Sequence, residues 1–376
     1  MVDKIKVGLI FGGRSGEHEI SLLSARGVLG AIDRDKYEVV PIGITKEGRW
    51  LAAGDPLEAL TSGQVEASNP AALLPEPSQR GLMRLEDRAD ERSLRAVPVS
   101  EIDVAFPILH GPYGEDGTVQ GLLELAGIPY VGAEVTASAV GMDKALFKDV
   151  MGAHGLPVVP HLVVKRKAWE RDPATVLDRA EVEIGYDCFV KPANLGSSVG
   201  ITKAHNRDEL LAALNEAARY DRKLIVERAV DAREIEVSVL GNDEPAASVP
   251  GEIVPCNEFY DYAAKYLDGE SELLIPAPIP PQTADEIRRL AVEAYLAIDC
   301  AGMARADFLL DRRSGKVFVN EVNTIPGFTP ISMYPKLWEA SGISYSELID
   351  RLIQLALERH ADKSRSATSY QVQEEG

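Results

Sequence analysis

Charged and amide side chains recur at every second position in two short stretches near the C-terminus. In Arg305-Ala306-Asp307-Phe308, the alternation of an extended chain puts Arg305 and Asp307 on one face and apolar residues on the other. In Phe318-Val319-Asn320-Glu321-Val322-Asn323 the same rule sets Glu321 and Asn323 together. Gly315 stands between them at a turn, so a hairpin is expected that turns both polar rows toward one small volume. Two carboxylates, one amide oxygen and one guanidinium then converge. Oxygen donors of this kind suit Mg²⁺, which keeps several waters and takes a few carboxylates plus substrate phosphates. Any one of these groups alone reads equally as a surface salt bridge. Four on one face, followed by Thr324-Ile325-Pro326-Gly327, favour a reaction centre.

A second set of residues has the chemistry of phosphate binding. Phe189-Val190-Lys191-Pro192 closes a strand-like run, and Gly196-Ser197-Ser198-Val199-Gly200 follows as a loop. Glycines let backbone N–H groups approach a phosphate closely, the Ser197 and Ser198 hydroxyls add donors, and Lys191 supplies a point charge. Gly/Ser turns are common, so the loop by itself is a weak signal. It matches neither G-x-x-x-x-G-K-[ST] nor G-x-G-x-x-G, which disfavours a P-loop enzyme and a dinucleotide-binding domain. Lys144, in Met142-Asp143-Lys144, opens a predicted helix where a cation gains nothing from the helix dipole. A ligand is the better reason for it.

The elements that must position these residues follow from hydrophobic periodicity. Residues 4–11 read as a buried parallel strand ending at Gly12-Gly13, followed by a helix from near Glu19 and a strand from Glu38 to Ile44. Residues 52–100 are rich in Ala, Pro, Ser, Glu and Arg with weak periodicity, and are expected to be an insertion or long surface excursion. Ile102 to Leu109 is another buried strand, leading into the loop His110 to Gly117. This part, residues 1–132, is expected to be an α/β domain with a parallel sheet. A central unit over 133–226 and a C-terminal unit over 227–361, mixed α/β to α+β, are expected next. The first holds a helix from Asp143 to His154, strands at 158–164, 188–190 and 224–227, and a helix at 207–218. The second holds paired strands at 234–240 and 246–253, a helix at 283–298, strands at 303–310 and 316–322, and a helix at 345–359. The polar tail, 362–376, lacks a packing face and is expected to be disordered.

A length of 376 residues allows two or three domains, and 45% apolar with 26% charged residues is ordinary for a soluble globular chain. No apolar run reaches bilayer length and no leader is read at Met1-Val2-Asp3-Lys4, so a cytoplasmic location away from the membrane is expected. A net charge of −19 excludes a general nucleic-acid coat. The cations that bind an anionic ligand must therefore be few and specifically placed. Cys188, Cys256 and Cys300 form no C-x-x-C pair, which argues against a disulfide framework or a structural zinc site.

Six segments, in order, carry a family resemblance. They are Phe11-Gly-Gly-Arg-Ser-Gly-Glu-His-Glu-Ile-Ser21, His110-Gly-Pro-Tyr-Gly-Glu-Asp-Gly117, Met142-Asp-Lys144, Lys191-Pro-Ala-Asn-Leu-Gly-Ser-Ser-Val-Gly200, Phe259-Tyr-Asp-Tyr-Ala-Ala-Lys-Tyr266 and Asn320-Glu-Val-Asn-Thr-Ile-Pro-Gly327. With them the chain resembles the D-alanine–D-alanine ligases of the ATP-grasp superfamily, apart from residues 52–100 and the tail. The resemblance implies a three-domain ATP-grasp fold, with ATP between the central and C-terminal domains. It implies two Mg²⁺ ions, replaceable by Mn²⁺, on Asp307, Glu321 and Asn323, and a homodimer. Lys144 and Lys191 would contact phosphates, with Ser198 in the loop. Glu227, Ala229 and Val230 would form the adenine hinge, and Glu234 would hold the ribose. Glu19 would receive the ammonium of the first D-alanine, with His110 nearby. Ser332, Met333 and Lys265 would receive the second substrate's carboxylate; the family often has Leu where this chain has Met333. Tyr266 would close on Ser197 and Glu19 as part of a lid.

The implied reaction activates one D-alanine carboxylate as an acyl phosphate, which the amine of a second attacks. Arg305 and the Gly327 N–H would stabilise the tetrahedral oxyanion. Three rivals stand beside this reading. A depsipeptide ligase typically lacks the lid tyrosine that Tyr266 supplies. Another ATP-grasp enzyme, such as a bicarbonate-activating carboxylase component, has no need of the 259–266 segment. A non-catalytic nucleotide sensor has no need of Arg305.

Overall fold

The computed structural model describes residues 4–52, 54–65, 70–78, 81–87, 94–196, 200–254 and 272–367. Ser197, Ser198, Lys265 and Tyr266, and with them the expected lid segment 259–266, lie outside the described residues.

The first strand, β1 (Ile5–Gly12), is buried from Val7 onward, as expected of a central parallel strand with both faces covered. It pairs in parallel with β2 (Tyr37–Ile44) and β7 (Val104–Ile108), and α1 (His18–Ala31) connects β1 to β2. Between β2 and β7 the chain adds β3 (Trp50–Leu51), β4 (Pro70–Leu73), β5 (Gly81–Asp87) and β6 (Leu94–Glu101), with α2 (Pro56–Ser62) on the way. These strands run antiparallel and extend the sheet in the order β6-β5-β4-β3-β2-β1-β7. The described residues between 52 and 100 thus extend the sheet, where an insertion or a long surface excursion was expected. Their weak periodicity has a visible cause. The register of β5 against β6 shifts between Leu82 and Met83, so two neighbours are both buried and period-two alternation fails there.

After α3 (Thr118–Leu125), α4 (Val135–Met142) and α5 (Lys144–Ala153) come two antiparallel sheets. One holds β8 (His161–Lys165), β9 (Cys188–Pro192), β10 (Thr202–Ala204) and β11 (Lys223–Arg228), in the order β10-β9-β11-β8. The helices α7 (Pro173–Glu183) and α8 (Arg207–Tyr220) bury Val176, Leu177, Leu210 and Leu214 in its core, and the short α6 (Arg166–Arg171) adds Trp169. Asp143, Asp172 and Asn206 cap α5, α7 and α8 through their side-chain oxygens. The other sheet holds β12 (Ala232–Gly241), β13 (Ala246–Ala247), β14 (Gly251–Val254), β15 (Glu272–Leu274), β16 (Gly302–Asp311) and β17 (Val317–Asn323), backed by α9 (Pro281–Ala297). The strand expected at 246–253 is split into β13 and β14. Pro250, which has no N–H to give a ladder, sits in the gap.

Two expected boundaries move. A division at 226/227 would cut β11, so the change from one sheet to the next falls at 229–231 instead. Ala133, Ala137, Phe147 and Met151 pack behind the second antiparallel sheet, so α4 and α5 belong by packing to the C-terminal unit. The helices α10 (Met333–Ala340) and α11 (Tyr345–Lys363) close the N-terminal core with Trp338, Leu348 and Leu352. Asp362 and Lys363, expected in the tail, still belong to α11, and Lys363 Nζ lies 2.7 Å from Glu124 and 3.2 Å from Glu134. Among the described residues no helix is long and apolar enough to cross a membrane.

Candidate active site

The expected hairpin exists. Antiparallel register sets Arg305 opposite Asn323 and Asp307 opposite Glu321, followed by a bulge between Asp307 and Phe308. The Arg305 guanidinium forks onto Asp307, Nε to Oδ1 and Nη2 to Oδ2, both at 2.7 Å. Asn323 Nδ2 donates to Asp307 Oδ2 at 2.9 Å. Arg305 Nε also lies 3.0 Å from Glu236 Oε2, on the neighbouring strand β12. One guanidinium is therefore shared by two carboxylates.

Asp307, Glu321 and Asn323 offer hard oxygen donors and neither thiolate nor imidazole, which fits Mg²⁺ and not zinc. Among the described residues no group of three or more His, Cys, Asp or Glu is ready to hold a metal. Two carboxylates and one amide suit an ion that takes its other ligands from water and phosphate.

The cations come from α5 and β9, outside the hairpin. Lys144 is the first residue of α5, and its Nζ donates to the Leu195 carbonyl at 3.1 Å and lies 3.4 Å from Glu321 Oε2. It joins the start of the Gly/Ser loop to the hairpin. Lys191 Nζ sits 2.6 Å from Glu227 Oε2, and Lys148 Nζ sits 2.9 Å from Glu227 Oε1. Burial works against the Glu227 charge, but Lys191 and Lys148 overcome it and hold the carboxyl well below its ordinary range. Ala229, one of the two residues expected at the hinge, gives its amide to the Asp187 carbonyl at 2.9 Å. Glu234 and Glu236 alternate on β12, and Glu236 is opposite Asp307, which puts both on the sheet face that carries Arg305 and Asp307.

His110 is buried on the N-terminal side. Its Nδ1 donates to the Ile325 carbonyl at 3.0 Å, which leaves Nε2, 3.3 Å from Ser24 Oγ, to accept. Burial lowers its pKa, in keeping with a neutral ring. Ser332 stands just before α10 without a side-chain bond to the helix, and its Oγ accepts instead from Thr329 N at 3.0 Å. A Cβ on Gly327 would meet that Oγ at 2.8 Å, so glycine is required for this close approach. The Met333 side chain packs with Ile253 and Leu337 in the core, leaving only its backbone for a ligand.

Among the described residues, Glu19 is the expected site residue that the structure does not bring to this cluster. It is exposed on the outer side of α1, with Lys46 Nζ 2.5 Å from Oε1, and it lines a separate 460 Å³ hollow with Leu22, Leu23 and Leu60. Glu17 occupies the inner position. A Cβ on Gly111 would lie 3.0 Å from Glu17 Oε2, and one on Gly196 would lie 3.2 Å from it, so this carboxylate stands between the 110–117 loop and the Gly/Ser loop. Two residues along a helix turn by about 200°, which is why the two acids face opposite ways. Helical phase could have shown it: Glu17, Ser21 and Ser24 share a stripe, and Ser24 touches His110. Lys148, Glu236 and Glu115 were also missed. Lys148 repeats Lys144 one turn on, and Glu236 repeats Glu234 across one strand period.

Glu115 is largely enclosed beside His110, with its Oε1 accepting from Gly111 N at 2.7 Å. Burial, helped by the Glu17 charge, pushes its carboxyl up to about 8 from an ordinary 4.5. A raised acid keeps its proton on folding, so stability falls as pH rises through the window between those two values. Glu115→Gln should therefore match the parent in thermal melts at pH 5 and exceed its melting temperature by a few degrees at pH 8. A melting difference that does not change with pH would contradict this.

Two antiparallel sheets, with Lys191 on one, the Arg305–Asp307–Glu321 hairpin on the other and Lys144 joining that hairpin to Leu195, define an ATP-grasp ligase. The model for the D-ala D-ala ligase N-terminus matches residues 6–133 and that for the D-ala D-ala ligase C-terminus matches residues 150–354. The D-alanine–D-alanine ligase of Heliobacterium modesticaldum is 53% identical over 365 residues, covering 97% of this chain and 98% of its own. That of a Thermoanaerobacter species is 54% identical over 366 residues, covering 97% and 99%. Among solved structures, the D-alanine–D-alanine ligase from Coxiella burnetii superposes with a TM-score of 0.82 at 37% identity, over 97% of each chain. A D-Ala:D-Ser ligase from Enterococcus faecalis gives 0.83 at 35% identity, over 94% of this chain and 100% of its own. The chain belongs to the D-alanine–D-alanine ligase family, whose members are ATP-dependent ligases. Residues 52–100 fall within the N-terminal match.

Proposed function

We propose that this chain joins two D-alanines, using ATP to activate the first as D-alanyl phosphate and releasing ADP and phosphate. The observation that carries the reading is the junction at Lys144, 3.4 Å from Glu321 and bonded to the loop that starts at Leu195, beside the Arg305–Asp307 fork. A carboxylate attacking a γ-phosphate meets negative charge, and positioned cations offset that repulsion. Lys144 and Lys191 supply it from the protein. Mg²⁺ held by Asp307, Glu321 and Asn323 would supply the rest, at the β- and γ-phosphates. Glu17 takes the role expected of Glu19, receiving the first substrate's ammonium between the 110–117 and Gly/Ser loops. Arg305 and the Gly327 N–H face the oxyanion formed when the second amine attacks, and Ser332 with the Met333 backbone receives the second carboxylate. Neutral His110, fixed by Ile325 and Ser24, lines the same wall without adding charge. Ser197, Ser198, Lys265 and Tyr266 keep their proposed roles on the sequence resemblance alone.

Val230 and Glu234 are proposed to hold the adenosine end of ATP, next to Glu227 and Ala229. The reading includes a cytoplasmic homodimer with small molecules as its partners. Its net charge of −19 supports excluding nucleic acid. The test mixes the protein, ATP and Mg²⁺ with D-alanine, L-alanine, or D-alanine plus D-serine or D-lactate. Products are identified by mass and chirality, and phosphate release is followed. D-Ala-D-Ala as the main product, with phosphate release that requires D-alanine, is expected. ATP hydrolysis indifferent to D-alanine would leave a sensor, and a mixed product would move the assignment to another acceptor.

A further inference from the structure

The helix α5 stands between the two cores of the ATP-binding half. Phe147 and Met151 anchor it in the core behind the sheet of β12, β16 and β17. Its other side carries Lys144 and Lys148, one turn apart. That side is tied to β11 twice. Asp143 pairs with Lys223 at the start of the strand, and Lys148 Nζ lies 2.9 Å from Glu227 Oε1 near its end. Lys148 is only 2% exposed and Glu227 only 3%. A lysine so buried is uncommon unless a charge partner requires it.

Glu227 has two cations, one on each oxygen: Lys148 at 2.9 Å and Lys191 at 2.6 Å. Under the proposed function, on which this inference rests, Lys191 must carry its charge to a phosphate. With Lys191 as sole partner, that move would strand a buried carboxylate without a counter-charge, which is strongly opposed. With Lys148 in place, the carboxylate keeps one partner throughout. We propose that Lys148 is a positioning residue for nucleotide binding, holding the Glu227 carboxylate so that Lys191 can pass from it to the polyphosphate. The electrostatics agree. Burial pulls the Lys148 ammonium below its ordinary range, whereas Lys191 stays above its own because Glu227 outweighs the same burial.

The experiment is a thermodynamic cycle on the full chain, reading the Kd of ATP with Mg²⁺ by titration calorimetry together with KM and kcat. Lys148→Met should raise Kd and KM for ATP about tenfold or more, with kcat at saturating ATP within about threefold of the parent. Lys148→Arg should recover most of the loss, because it restores the charge. In the Glu227→Gln background, where no carboxylate needs a partner, Lys148→Met should change Kd by less than about threefold. Equal losses in both backgrounds would overturn the proposal, as would an unchanged Kd in Lys148→Met alone. Should Lys148→Met fail to fold, the double variant against Glu227→Gln decides, since the neutral pair leaves no buried charge; a loss of about tenfold there overturns the proposal. Lys191→Met separates the two levels. Its leaving ATP affinity unchanged would refute the phosphate role of Lys191 itself, whereas weakened binding in Lys191→Met with none in Lys148→Met refutes only the present inference.

Discussion

Arg305→Ala is expected to lower turnover by about a hundredfold or more while ATP binding stays within about threefold of the parent. The guanidinium is held in place, forked on Asp307 at 2.7 Å and 3.0 Å from Glu236. When the second amine adds to the acyl phosphate, negative charge develops on an oxygen that had little before. A fixed guanidinium aimed there stabilises the transition state more than the ground state, so its loss falls on kcat. The lysines expected at the phosphates, Lys144 and Lys191, stand on α5 and β9, outside the hairpin, and should still bind ATP after the substitution. Arg305→Lys keeps the charge but not the planar fork, so it should fall between the two. Steady-state kinetics in ATP and D-alanine, with calorimetric ATP titration, measure each arm. Loss of ATP binding in Arg305→Ala would reverse the assignment: the residue would then be structural, needed because Asp307 and Glu236 share it as a cation.

The strand-borne half of the site was legible in the sequence because strands have a period of two and no other. Once 303–310 and 316–322 are read as strands, alternation alone puts Arg305, Asp307, Glu321 and Asn323 on one face, and Gly315 fixes the turn. The observed register sets Arg305 opposite Asn323 and Asp307 opposite Glu321, before the bulge at Asp307/Phe308. The helix-borne half was harder. Glu17-His18-Glu19 offers two acids two residues apart, and which faces inward depends on the helical phase, which in turn depends on where α1 starts. A helix counted from Glu19 gives no phase for Glu17, which stands just before the observed start at His18. Lys148 was missed for another reason. On a sequence, a lysine inside a helix reads as solvated, and only the fold shows that the same helix side is pressed onto β11. Packing likewise decided the domain limits. Val226 and Glu227 look like the end of a strand, yet β11 runs on to Arg228, and α5 packs with the later sheet of β12, β16 and β17, not with the sheet of β8 to β11 that it leads into.

Glu17→Gln and Glu19→Gln should separate by about two orders of magnitude in kcat/KM for D-alanine at saturating ATP. Glu17 stands between the 110–117 loop and the Gly/Ser loop, in a partly enclosed position where an ammonium would be desolvated on binding. Removing one partner of such a charge pair costs about a hundredfold, because the surviving charge is left without compensation. Glu19 is more than half exposed, and so is its partner Lys46. An ion pair of that kind contributes little, so Glu19→Gln should lower kcat/KM by less than about threefold. The amide in each variant keeps the size of the side chain, which limits any effect of packing. Glu17→Asp adds a further arm, since it keeps the charge but shortens the reach by one methylene, and should lie between the parent and Glu17→Gln. If Glu19→Gln instead matched the loss in Glu17→Gln, α1 would have to turn in the working enzyme by about half a revolution. That would tear Ser21 and Ser24 from Ile108 and His110, which they now hold.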